Sequence, residues 1–282
     1  MVYLNGAVVP RSEAAISPLD RGFLYGYGLF ETVRSYGGRV FRLDRHLARL
    51  MRSAETLALA SQLDPADLER AVYTTIRANA LDDARVRLTV GAGEGERGLA
   101  PPEAGGLTVL VVAEPLVVAA RIYEQGITAV TAATRRNSQS PVPGIKSLNY
   151  LESLIAHAEA AARGADEAVM LNDRGDVSEC SSSNIFLVAA GRVATPSLSS
   201  GILPGVTREA VLEVAAELGI DAEERDIVPA ELAGADEVFI TTSVREVVPV
   251  VRVDGRAVGG GVPGETTGKL LAGYRKLVQR AL

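Results

Sequence analysis

Residues 143–150 read Pro143-Gly144-Ile145-Lys146-Ser147-Leu148-Asn149-Tyr150. Residues 177–185 read Val177-Ser178-Glu179-Cys180-Ser181-Ser182-Ser183-Asn184-Ile185. The first block sets a lysine between a loop and a helix start. A loop lysine is usually just a solvated charge. In this chain, however, only three of the 29 basic residues are lysines (Lys146, Lys269 and Lys276), and the other 26 are arginines. Arginine cannot lose a proton and attack a carbonyl, so Lys146 is a candidate nucleophilic amine. The second block puts an acidic residue and a polar run directly before an apolar strand. It reads either as a surface turn or as a carboxylate held against a ligand, with small neighbours that permit close approach.

Outward from these blocks the chain alternates strands and helices. Residues 2–9 form a hairpin turning at Asn5-Gly6, and residues 31–41 a second one turning at Gly37-Gly38. Leu43, Leu47, Leu50, Ala54 and Leu57 fall at helical spacing. Asp64, Pro65 and Asp67 mark the start of another helix, with Leu68, Val72, Ile76 and Ala80 along its apolar face. Residues 85–90 and 107–113 read as strands, with a Gly-, Glu- and Pro-rich loop over 91–106 between them. Further on, residues 127–133, 167–171, 185–189, 237–241 and 247–253 read as strands. Residues 148–163, 207–218 and 266–281 read as helices, and residues 138–144 as a loop. The pattern predicts an α/β protein with mixed, α+β-type sheets in two domains: 1–115, a linker over 116–123, and 124–282.

Composition narrows the functional classes. The chain has 282 residues, 47% hydrophobic and 23% charged, enough for a sizeable core. No apolar run approaches the ~18 residues of a membrane helix. No basic segment followed by an apolar block opens the sequence, and Cys180 is the only cysteine, so a reducing, cytoplasmic compartment is expected. His46 and His157 lie far apart, which leaves few candidate ligands for a metal, and none is expected. The net charge of −6 does not suggest a nucleic-acid partner.

Other motifs carry less alone. Residues 259–269 (GGGVPGETTGK) resemble a phosphate-binding P-loop only superficially: the first glycine falls on Pro263, and Leu270 stands where a hydroxyl must bind magnesium. Lys269 and Lys276 read as the solvated side of the last helix. Gly201-Ile202-Leu203-Pro204-Gly205-Val206-Thr207-Arg208 leads into a helix whose first amides form a natural anion site, and Thr241-Thr242-Ser243 adds hydroxyls at a strand end. Arg45, Arg49 and Arg52 form a helical stripe that reads as solvated.

Taken together and in this order, the blocks LYGYGLFETVR, HLARL, GIKSLNYL, VSECSSSNIF and GILPGVTRE resemble the fold type IV pyridoxal-phosphate enzymes, from Asp20 to the last helix. That group includes branched-chain and D-amino-acid aminotransferases, R-selective amine transaminases and aminodeoxychorismate lyases. The resemblance implies two domains with pyridoxal 5′-phosphate in the cleft between them, and a homodimer with shared active sites. It implies Lys146 as the Schiff-base lysine and proton carrier, and Glu179 as the partner of the pyridine nitrogen. It implies Tyr150 as a donor to the ring oxygen, with Arg49, Val206, Thr207 and Ser243 on the phosphate.

On the substrate side, Tyr25, Phe30, Thr32 and Arg34 match pocket-lining positions, and Arg87 matches a carboxylate-binding one. The departures are Thr32, where branched-chain enzymes usually have glycine and which looks more like the lyases, and Tyr27, in place of a more usual aspartate. The arginine-x-histidine pair of the D-amino-acid enzymes is not evident. The implied activity is transamination between an amino acid, branched-chain L-amino acids first, and a 2-oxo acid such as 2-oxoglutarate. The alternatives are cleavage of aminodeoxychorismate to aminobenzoate and pyruvate, or a D-amino-acid or R-amine transaminase.

Overall fold

Asn5 and Gly6 take φ values of 46° and 96°, and β1 (Val2–Leu4) turns directly into β2 (Ala7–Val9) with Leu4 opposite Ala7. Both central residues of such a turn need left-handed backbone, which asparagine and glycine tolerate best. This hairpin belongs to a computed structural model that describes residues 1–95, 98 and 106–282. Of the loop expected over residues 91–106, residues 96, 97 and 99–105 lie outside the described residues. The chain forms two compact units: Met1–Val117 with Ile145–Asn149 and Ala281–Leu282, and Val118–Gly144 with Tyr150–Arg280.

In the first unit, α1 (Arg21–Tyr25) precedes the hairpin of β3 (Gly28–Tyr36) and β4 (Arg39–Val40). Then come α2 (Leu43–Thr56), α3 (Pro65–Ala78), β5 (Ala84–Gly91) and β6 (Thr108–Pro115). Among the described residues the strands form one sheet in the order β2-β1-β6-β5-β3-β4, with every neighbouring pair antiparallel. α3 starts where its sequence predicts, with the Asp64 carboxylate accepting the Ala66 amide at 2.8 Å. The core collects Leu29, Val33, Val86, Leu88 and Val111 from the strands and Leu47, Leu50, Val72 and Ile76 from the helices. Side chains of this size contribute roughly 1.5–3 kcal/mol each when fully buried.

The alternation of β3 decides which residues can meet a ligand. Leu29, Glu31, Val33 and Ser35 point to the core face, so Phe30, Thr32 and Arg34 share the other one. Thr32 lies opposite Arg87 and Arg34 opposite Arg85, which puts both β5 arginines on that same face.

The helix expected from residue 148 begins only at Leu151. Residues 145–149 are instead extended along the start of β3: the Phe30 amide donates to the Lys146 carbonyl at 2.9 Å, and the Leu148 amide to the Gly28 carbonyl at 2.9 Å. A side chain at position 28 would strike the Val90 carbonyl and the Leu148 side chain, so the approach requires glycine. The strand pairing overrides the helical spacing of Leu148.

The second unit contains α4 (Arg121–Glu124), β7 (Ile127–Arg136), α5 (Leu151–Ala162), β8 (Glu167–Asn172), β9 (Val177–Cys180), β10 (Asn184–Ala189) and β11 (Arg192–Pro196). It continues through α6 (Val206–Glu217), β12 (Ala222–Arg225), α7 (Pro229–Gly234), β13 (Glu237–Thr242), β14 (Glu246–Val253), β15 (Arg256–Ala257) and α8 (Glu265–Ala281). The sheet runs β12-β11-β10-β13-β14-β7-β8-β9, with β15 on β14. β11-β12, β14-β7 and β7-β8 are parallel and the other pairs antiparallel, the mixed sheet that the sequence predicts. Val169, Ile185, Leu187, Val238, Ile240 and Val248 form a core on one face. Phe186 and Phe239 stack at 4.7 Å, and Ala156 and Ala160 of α5 pack on Val130 and Met170. Lys269 and Lys276 are exposed, as their spacing predicts, and Lys269 pairs with Glu265 at 2.7 Å.

Candidate active site

In the first unit Lys146 and Arg87 meet on one aromatic ring. The Lys146 ammonium nitrogen lies 4.5 Å from the Phe30 centroid and the Arg87 guanidinium carbon 3.8 Å from it. Thr32 is opposite Arg87, and Arg34 is two residues further along the same face, its guanidinium 4.3 Å from the Tyr36 centroid. The structure thus gathers Phe30, Thr32, Arg34, Arg87 and Lys146. Tyr25 is on α1, 41% exposed.

Arg49 departs from the solvated stripe. Arg45 and Arg52 are exposed, but Arg49 is buried and grips Glu31 on the core face of β3: Nε donates to Oε1 at 2.9 Å and Nη2 to Oε2 at 2.6 Å. His46, one turn earlier on α2 and equally buried, places Nδ1 2.8 Å from Glu31 Oε2. Burial works to raise the Glu31 carboxyl, but Arg49 and His46 outweigh it and hold it at about 2. Burial pushes His46 below its ordinary value, and Glu31 only partly restores it against Arg49 and Lys146. At neutral pH the carboxylate is ionised and only accepts, so the neutral imidazole carries its proton on Nδ1.

In the second unit Glu179 is buried in β9, which excludes the surface-turn reading. Oε1 accepts from Arg136 Nη2 at 3.2 Å, and Oε2 from the Leu203 amide at 3.1 Å and from Asn184 Nδ2 at 3.3 Å. Arg136 also reaches Glu152 at 3.2 Å and Ser153 at 3.0 Å. Tyr150 caps α5, and its hydroxyl is pushed above its ordinary value first by burial and then by the Glu179 carboxylate, so it stays a donor.

Asn184 links this carboxylate to a helix start. Its amide donates to the Leu203 carbonyl at 2.9 Å, and its oxygen occupies the space a side chain at Gly205 would need. Gly205 caps α6 without a side-chain acceptor, so the buried first turn at Val206 and Thr207 presents its amides uncapped. Opposite Asn184 in register is Thr241, whose buried hydroxyl has no hydrogen-bond partner. Ser243 follows in the turn after β13. The donor set is a carboxylate, an uncapped helix start and an orphaned hydroxyl. It fits a molecule with a protonated ring nitrogen at one end and a dianion at the other, as pyridoxal 5′-phosphate is.

Known proteins resemble this chain in sequence and in fold. Residues 28–253 match the family described as amino-transferase class IV. The chain belongs to that family. A putative branched-chain-amino-acid aminotransferase of Methanocaldococcus jannaschii is 40% identical to this class IV aminotransferase over 277 residues, 98% of this chain and 96% of the relative. A D-alanine aminotransferase of Bacillus licheniformis is 35% identical over 271 residues, 94% of this chain and 93% of its own. The solved branched-chain amino acid aminotransferase from Thermobaculum terrenum, in its PLP-bound holo-form, superposes with a TM-score of 0.90 at 28% identity, over 100% of this chain and 94% of that one. The fold is that of the type IV aminotransferases.

Sequence reasoning missed Glu31, His46, Arg136, Asn184 and Glu167. Glu31 left a trace, since it occupies a core position in the alternation Leu29, Glu31, Val33. Glu167 explains the serine run: Ser181 donates to Oε1, Ser183 to Oε2 at 3.2 Å, and Arg245 Nη2 to Oε2 at 3.2 Å. The Arg136 contacts have no local signal, because they join segments 16 and 43 residues apart.

Proposed function

We propose that this chain is a pyridoxal-phosphate-dependent transaminase that passes an amino group from a branched-chain L-amino acid to a 2-oxo acid such as 2-oxoglutarate. The observation that carries the reading is the Glu179–Asn184–Gly205 linkage, which ties a doubly anchored carboxylate to an uncapped helix start. When bound, the cofactor supplies an electron-accepting pyridine ring conjugated to a carbon–nitrogen double bond.

In this reading Glu179 would pair with the protonated ring nitrogen, and Arg136 and the Leu203 amide hold the carboxylate in place. Tyr150 donates to the ring oxygen. The Val206 and Thr207 amides, Ser243 and Arg49 hold the phosphate. Lys146 Nζ would hold the cofactor covalently and, once the substrate amino group has displaced it, would be the free amine that takes and returns the substrate proton. Arg87 presents a planar fork to a substrate carboxylate, with Phe30, Thr32 and Arg34 lining the same face and Tyr25 completing the lining.

The division into residues 1–115, a linker over 116–123 and residues 124–282 goes with this reading, as do a cytoplasmic location and a homodimer. Phe23, 77% exposed, and Leu151, 68% exposed, are apolar surface suited to burial against a second copy.

One observation favours a second reading: Thr32, a residue that looks more like the lyases at this position, puts a hydroxyl opposite Arg87. The test is a half-reaction. Leucine, isoleucine or valine without an acceptor should bleach the visible band of the purified protein stoichiometrically, and 2-oxoglutarate should restore it. D-alanine and R-amines test the opposite hand. If no amino acid or amine bleaches the band while aminodeoxychorismate yields pyruvate, the transaminase reading is wrong.

A further inference from the structure

Ser243, Val244 and Arg245 connect β13 to β14, and the connection closes where Thr242 pairs with Glu246. Glu246 has a φ of 60°. Among the described non-glycine residues with left-handed backbone it is the buried one. The left-handed position of a short hairpin connection ordinarily goes to glycine. A buried glutamate persists there only where its surroundings over-determine it.

They do so from two sides. Glu246 Oε2 accepts from Arg275 Nε of α8 at 2.8 Å. The Arg275 guanidinium lies 4.7 Å from the Tyr123 centroid, and the Tyr123 hydroxyl donates to the Arg245 carbonyl at 3.1 Å. On the other side the Arg245 side chain reaches buried Glu167, which also takes the serine hydroxyls of the turn after Glu179. The Arg245 amide donates to Thr242 Oγ1 at 2.8 Å.

We infer that Glu246 is a positioning residue for the cofactor phosphate: locked to Arg275 in a left-handed conformation, it fixes the turn that presents Ser243. The inference rests on the proposed cofactor reading. It separates the role of the carboxylate from that of the backbone, because the carboxylate matters only by holding a conformation that a non-glycine residue would otherwise leave.

The test uses the full-length chain purified with pyridoxal phosphate and follows loss of the visible band on dilution into cofactor-free buffer. Glu246→Ala and Glu246→Gly lack the same carboxylate and differ in backbone preference. The alanine variant should release cofactor about tenfold faster than wild type, and the glycine variant only about twofold faster, because glycine takes left-handed backbone without penalty. A purely structural contribution also favours glycine over alanine at this φ, but it shows as a shifted urea-unfolding midpoint of the cofactor-free chain with wild-type cofactor release, whereas the positioning role shows in release from the folded chain. Release from the glycine variant as fast as from the alanine variant overturns the inference, and so does wild-type release from the alanine variant.

Should Glu246→Ala fail to fold, Arg275→Leu replaces it. That change alone should speed release, and adding Glu246→Gly should slow it again; no slowing overturns the inference. Ser243→Ala is the control for the underlying reading. Wild-type release from Ser243→Ala, or a wild-type chain that carries no cofactor, removes that reading itself. Faster release from Ser243→Ala with unchanged Glu246 variants removes only the positioning role.

Discussion

Replacing Glu31 with glutamine tests the buried trio of Glu31, His46 and Arg49. The change keeps the volume, removes the negative charge and takes from the buried Arg49 guanidinium its Glu31 carboxylate partner. The Glu31 carboxyl titrates at about 2 in the fold, against 4.5 unperturbed. Each tenfold change in proton affinity is worth about 1.4 kcal/mol, so the ionised carboxylate contributes about 3 kcal/mol. That agrees with the roughly 3–5 kcal/mol lost when one member of a buried ion pair is removed.

The sign follows from the folded value lying below the unfolded one. The contribution is complete above about pH 4.5 and disappears as pH falls toward about 2. His46 is also lowered by burial, so it adds acid lability that begins nearer its ordinary 6.5. Urea unfolding at pH 7 should therefore show Glu31→Gln destabilised by about 3 kcal/mol. Between pH 4.5 and 2 the variant should lose stability less steeply than wild type. An unchanged unfolding midpoint at pH 7, together with an unchanged acid slope, would refute the assignment of charge in this trio.

The remaining predictions concern the chemistry. Lys146→Arg should keep the fold and lose turnover, because arginine has no deprotonatable amine; near-normal turnover would exclude Lys146 as the proton carrier. Glu179→Gln should retain much of the cofactor and slow the half-reaction by a factor on the order of 10²–10⁴, with the loss in kcat rather than KM; wild-type half-reaction rates would exclude it as the nitrogen's partner. Gly205→Ala should lower cofactor affinity, because the new methyl collides with the Asn184 amide oxygen, and cofactor retention on dialysis measures this. Arg87→Leu should raise KM for the carboxylate substrate more than tenfold while the resting visible spectrum stays unchanged; an unchanged KM would leave Arg87 only its packing on Phe30.

Much of this molecule was legible in its sequence where a local rule applied. The Asn5-Gly6 and Gly37-Gly38 turns, the Asp64-Pro65 helix start and the apolar periodicities are all contained within a few residues, and the structure has them. The scarcity of lysine made Lys146 conspicuous. What stayed hidden depends on partners distant in sequence. The spacing of Arg45, Arg49 and Arg52 describes a stripe but cannot say that Glu31, 18 residues earlier, turns one member inward. The helix expected from Leu148 failed because the Gly28 and Phe30 backbones compete for residues 145–149. The serine run looked like a surface turn because Glu167, which accepts its hydroxyls, lies 14 to 16 residues upstream with nothing local to announce it.

The extended segment at Ile145–Asn149 has a consequence for the birth of the chain. Apart from Ala281–Leu282 at the very end, the first unit otherwise stops at Val117, so this segment emerges about thirty residues after the body of the unit. At roughly 5–20 residues per second, a ribosome makes the nascent unit wait about 2–6 seconds with the Phe30 amide and the Gly28 carbonyl unpaired. A fragment ending at Val117 would carry that defect permanently, and with it the absence of Lys146. Lys146 is thus delivered by the same residues that pair with the start of β3, so the nascent unit cannot complete its fold without acquiring this lysine.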